Sequence, residues 1–149
     1  MLFAACCLAV LAAPAALASE KGSAEAGFLR AVNATRASFG LRPVQLDRTL
    51  STAARSHSVE MLQGNYFSHG DFSGRMLAFH VRGSIMGENL AWGTGAYSGA
   101  GAIVREWLAS PPHRANLLRP GFRRIGIGLT HGTFKGSGGA IVVTADFAG

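Results

Sequence analysis

Apolar positions recur at helical spacing through the first part of the chain. Phe28, Val32, the Thr35/Arg36 pair and Phe39 fall on one stripe, which predicts a helix over 23–39 closed by Gly40 just past its end. Leu41-Arg42-Pro43 reads as an extended connector, because the residue before proline avoids the helical region. A second helix is predicted from an Asp47 cap to about Gln63, with Gly64-Asn65 as its stop. Leu50, Ala54, His57 and Met61 share one face of it, which turns His57 inward. From Tyr66 to Gly101 the periodicity fades among Gly and Ser, and a long irregular stretch is expected, with a short helix near 75–79. A third helix follows over about 99–109, and Ser110 with Pro111 at the first helical position starts another short one. Two strands close the chain. Ile125–Leu129 alternates apolar residues with glycine, Ala140–Phe147 is a β-branched run, and the segment 131–139 between them reads as a hairpin loop. Helices first and strands last predict an α+β fold with a small antiparallel sheet.

Composition narrows this picture. The chain has 149 residues, 48% of them hydrophobic and 15% charged, which suits one folded domain and argues against disorder. A net charge of +6 comes mainly from 12 Arg against two Lys. These cations are scattered and no aromatic-interleaved basic stripe occurs, so no nucleic-acid partner is expected. The uncharged, Ala/Leu-rich run over 1–18 ends in Ala16-Leu17-Ala18 before the polar Ser19-Glu20-Lys21, the pattern of a secretory signal and its cleavage site. An anchor is the rival, but Pro14 breaks the run; Phe3-Ala4-Ala5-Cys6 also loosely resembles a lipoprotein signal. The expected organisation is therefore a signal peptide over 1–18 and one domain over 19–149, exported to the periplasm or the exterior. Cys6 and Cys7 both fall in the signal, which leaves a mature domain without thiols, without a stable membrane span, and expected to be a monomer.

Few polar residues stand out as chemical candidates. His57 on an apolar helix face is as consistent with a hydrogen-bonded core histidine as with a ligand. His69 follows two aromatics in Tyr66-Phe67-Ser68-His69. Glu88, in Gly87-Glu88-Asn89-Leu90-Ala91, is a carboxylate among apolar neighbours, where burial demands a partner. His113 lies in the first turn of its short helix, where the dipole favours neutral imidazole. No zinc-protease helix, serine elbow, phosphate loop or dinucleotide fingerprint is present.

Together the strings Ala54-Arg-Ser-His57-Ser-Val-Glu-Met61, Tyr66-Phe-Ser-His69, Gly87-Glu-Asn-Leu-Ala91, Trp107-Leu-Ala-Ser110-Pro-Pro-His113-Arg-Ala-Asn116 and Ile125-Gly-Ile-Gly128 resemble the bacterial, YkwD-like branch of the CAP superfamily of cysteine-rich secretory, antigen 5 and pathogenesis-related 1 proteins. The resemblance covers about 24–147. It implies a three-layer α–β–α sandwich with a small antiparallel sheet, and a central cleft lined by two histidines and two acids that in some members holds a divalent metal. Matched position by position, His69, Glu88 and His113 would be its catalytic or metal-binding members, with zinc a suitable cation. The position matching the family's second acid is Ser110 here, so Ser110, Glu106 one turn earlier and His57 are the ligand-binding candidates for the vacancy. Three functions stay open: capture of a small molecule, lipid, envelope component or cation; metal- or histidine-dependent hydrolysis, peptidase-like; and an envelope interaction domain without activity.

Overall fold

The computed structural model describes residues 13–149; the apolar stretch 1–12, with most of the expected signal and both cysteines, lies outside the described residues. Helix α1 (Ala13–Ser38) begins upstream of the expected start and runs through the expected cleavage point. Strand β1 (Gln45–Leu46) and helix α2 (Arg48–Gly64) follow. Asp47 caps α2 as its sequence indicates, accepting from Leu50 N at 3.0 Å, and Asn65 closes it in the left-handed conformation.

The segment expected to be irregular holds three elements. Helix α3 (Phe72–Ala78) is capped by Asp71, which accepts from Gly74 N at 2.8 Å. Strand β2 (Met86–Gly93) and a 3-10 turn at Gly95–Tyr97 come next. β2 escapes a search for alternation because both of its faces are covered, so Glu88, Asn89 and Leu90 are all buried. Helices α4 (Ala100–Ala109) and α5 (Pro111–Leu117) lie close to expectation. Strands β3 (Arg124–Phe134) and β4 (Ser137–Ala148) are longer than expected. The presumed loop over 131–139 is mostly ladder, joined by a two-residue turn in which Lys135 and Gly136 both take positive φ, the hairpin geometry that matches strand twist.

The sheet order is β1-β3-β4-β2, antiparallel except for the two-residue parallel pairing of β1 with β3. Odd-numbered β4 residues Ile141, Val143, Ala145 and Phe147 pack with Phe28 and Val32 of α1, Ile103 and Trp107 of α4, and Leu117 of α5. On the opposite face Met61 of α2 meets Leu90, Ala140 and Val142, while Leu50 and Met76 meet Ala148. This is the expected α–β–α sandwich. The Ile-Gly-Ile-Gly alternation of β3 now has a cause: a methyl group on Gly126 or Gly128 would collide with the α2 backbone at Leu50–Ser51 or Ala54–Arg55. Helix and sheet touch main chain to main chain there, and only glycine fits.

Candidate functional site

Glu88 sits on edge strand β2, on the face turned toward α2, and its side chain is only 2% exposed. Two partners answer its burial. His69 Nδ1 lies 2.6 Å from Oε1, and the Arg75 guanidinium pairs with Oε2. A carboxylate only accepts here, so His69 donates through Nδ1–H and is left with Nε2 as its free ring nitrogen. The imidazole itself is 57% exposed. Its loop is held from both sides: Arg75 Nη1 donates to His69 O at 3.3 Å, and His57 Nε2 donates to Ser68 O at 2.9 Å.

His57 therefore pins the loop from the interior, 1% exposed and bonded to its main chain; its second nitrogen faces Glu60 at 3.5 Å. Glu106 and Ser110 do line a cleft with His113, an open trough of about 320 Å³ along the β2 edge whose walls include Phe67, Trp92 and Trp107. His113 is half-buried on α5, and burial followed by the nearby His69 charge lowers its pKa, which favours neutral imidazole at physiological pH. His69 thus contacts Glu88 and lies near enough to His113 to influence its proton affinity. Glu106 and Ser110 join them through His113, and His57 stands behind them.

The β2 main chain is locked to α5. Asn116 Nδ2 donates to Glu88 O at 2.9 Å and contacts Asn89 Oδ1 at 3.0 Å, while Asn89 Nδ2 donates to His113 O at 3.0 Å. A Cβ on Gly87 would strike Asn116, so this junction too needs glycine.

Two site residues went unseen in the sequence, Arg75 and Asp146. Asp146 pairs in register with Glu88 across β2 and β4, is wholly buried, and meets no donor among the described residues; its carboxyl is within hydrogen-bonding reach of the Glu88 carboxylate, to which it can donate only when protonated. Burial and then the Glu88 charge push its pKa well above the ordinary aspartate value, with Arg75 pulling the other way. A signal for it existed: an aspartate inside the apolar run 140–147 raises the same question of partnership as Glu88. Arg75 carried no such signal, because its role depends on where α3 docks.

The donor set does not fit a resident divalent cation. Both Glu88 oxygens are engaged, a guanidinium occupies the space where further negative charge would be needed, and no group of three or more His, Cys, Asp or Glu side chains among the described residues is spaced to hold a metal. Nor is any helix among them long and apolar enough to cross a membrane.

The model of the cysteine-rich secretory protein family (CAP) matches residues 29–147. The chain is 39% identical to the Bacillus subtilis protein YkwD over 101 residues, 64% of this chain and 38% of that protein. It is 32% identical to the Bacillus subtilis membrane protein YlbC over 126 residues, 78% of this chain and 36% of that one. It therefore spans less than two-fifths of either relative's length. Among solved structures, an extracellular SCP-domain protein of Bacillus anthracis superposes with a TM-score of 0.75 at 25% identity, over 94% of this chain and 45% of that chain.

Proposed function

The chain belongs to the cysteine-rich secretory protein (CAP) family, and on that premise we propose that it acts as an exported protein that holds a small ligand in the trough at the β2 edge, with His113 of its lining and the neighbouring His69 as polar contacts. The observation that carries this reading is the contrast between two histidines. His57 is buried and spent on a backbone carbonyl, as a structural imidazole is. His69 is braced by a buried carboxylate, itself backed by Arg75, yet presents its free nitrogen to solvent beside His113. Orienting an exposed imidazole in this way does little for the core; it prepares a contact. Export is supported by the N-terminal pattern and by the extracellular SCP-domain protein of similar fold.

The test is an NMR titration of the imidazole resonances, run separately with muropeptides from digested peptidoglycan and with inorganic phosphate. Saturable shifts at His69 and His113 that disappear in His69→Ala are expected with one of the two. The absence of saturable shifts with both overturns the reading. Added Zn²⁺ is expected to leave those resonances unsaturated at stoichiometric concentration, because the donors do not close around a cation. One geometric fact favours a second reading: a histidine whose Nδ1–H is held by a carboxylate has the orientation of a general base. Peptide or ester turnover abolished by His69→Ala, but indifferent to chelator, would establish it.

A further inference from the structure

Strand β2 ends the sheet, and the trough beside it is walled by aromatic rings at an unusual level of exposure. Trp92 is 40% exposed and Phe67 41%. Neither ring is loose. Both stand edge-on against the buried Phe134, at centroid distances of 5.5 Å for Trp92 and 6.4 Å for Phe67. A single wholly buried ring thus braces two partly open ones, so their orientation is set before any ligand arrives. The same trough is lined by a carboxylate, a hydroxyl and an imidazole from Glu106, Ser110 and His113.

We propose that this trough binds a saccharide ring, seated against Trp92 and Phe67 and hydrogen-bonded by Glu106, Ser110 and His113. The inference rests on the cleft reading above and names its ligand class. A pyranose has one face of C–H groups and a periphery of hydroxyls that both donate and accept. Polarised C–H groups match the negative face of an aromatic ring. The hydroxyls match groups that accept, or that do both, such as a carboxylate, a serine hydroxyl and a neutral imidazole. The volume, about 320 Å³, lies at the small end of ligand pockets and is open along its length, which suits one or two units of a longer glycan.

A peptide adding to the edge as an extra strand is the competing occupant, and β2 is poorly suited to it. The carbonyls such a strand would use are taken at Leu90 by Trp107 Nε1, at 2.8 Å, and at Glu88 by Asn116. What stays open is side-chain surface, and it is aromatic and polar together.

The experiment is a calorimetric titration of the purified chain with chitotetraose, a neutral N-acetylglucosamine tetramer, with tetra-alanine as the peptide arm. Intrinsic fluorescence follows the same titration, since the sequence has two tryptophans and Trp107 is buried. Saturable chitotetraose binding with a fluorescence change is expected. Trp92→Ala and Phe67→Ala should each weaken it about tenfold, and Glu106→Gln about threefold, in variants whose circular dichroism is unchanged. Absence of chitotetraose binding overturns the proposal, as does binding indifferent to both aromatic substitutions, or tetra-alanine binding in its place. If chitotetraose fails while phosphate still shifts His69 and His113, the cleft reading stands and the saccharide inference falls. If no probe moves them, both fall.

Discussion

Two regions of the molecule each bury an ionisable side chain completely, and they treat it in opposite ways. Where α1 meets α5, Arg36 is 0% exposed and its guanidinium is fully engaged. It donates to Arg42 O at 3.0 Å, Leu117 O at 2.7 Å, Arg119 O at 3.2 Å and, at a long 3.5 Å, Phe122 O. Between β2 and β4, Asp146 is equally buried and its oxygens have no such partners among the described residues. The first is a clamp, joining the end of α1 to the turns around α5. The second sets two acid groups side by side in the interior, an arrangement that shifts a proton affinity and marks a candidate site.

Breaking the clamp should show the largest effect. Arg36→Met leaves four carbonyls without their donor, and a loss of about 4 kcal/mol in denaturant unfolding is expected. A loss below about 1 kcal/mol would mean that solvent satisfies those carbonyls as well as the arginine does. On the Asp146 side, the neighbouring strand position gives the matching injury. Gly126→Ala drives a methyl into the α2 backbone and should cost about 3 kcal/mol, read in the same assay. His57→Ala should cost about 2 kcal/mol for the lost core contact and should free the Ser68–His69 loop, visible as faster amide exchange at 68–70.

Asp146→Asn should change stability least, within about 1 kcal/mol at pH 5, and most of its effect should appear in pH dependence. The folded state raises the Asp146 pKa, so it holds a proton that the unfolded chain releases at about pH 4. Wild-type stability is therefore undiminished below about pH 4 and falls as pH rises toward the folded pKa. The asparagine variant lacks that slope, and its melting temperature relative to wild type should climb as pH rises from about 4 toward the folded pKa. A constant difference across that range would show that Asp146 is not protonated in the native state.

Legibility in the sequence followed the physics of each element. α2 announced itself because one face is buried and Asp47 is a strong cap. The glycine alternation of β3 marked a strand, though only the structure shows that α2 is what the glycines admit. β2 stayed hidden because a strand covered on both faces, carrying Glu88 and Asn89 into the interior, has no amphipathic period. The site divides likewise. His69, Glu88 and His113 were reachable through word order, whereas Arg75 and Trp92 depend on how α3 and the aromatic cluster dock. The α1 stripe held a smaller surprise: after Phe28 and Val32 its last buried member is Arg36, not Phe39, because four carbonyls wait for a guanidinium and Phe39 lies 45% exposed under Arg114.

The side chains that hold β2 in place have a consequence for how the molecules meet one another. A sheet with two open margins invites copies of itself to join, strand upon strand, into fibres. Here Trp107 and Asn116 occupy carbonyls along one margin. On the other margin β1 covers two residues, and beyond it the α2 serines take over: Ile127 N donates to Ser51 Oγ at 3.2 Å, and Ser58 Oγ donates to Gly128 O at 3.1 Å. Helix side chains thus bind off both selvedges of the sheet, a safeguard against polymerisation for a domain whose described residues contain no disulfide-forming cysteine to lock it shut.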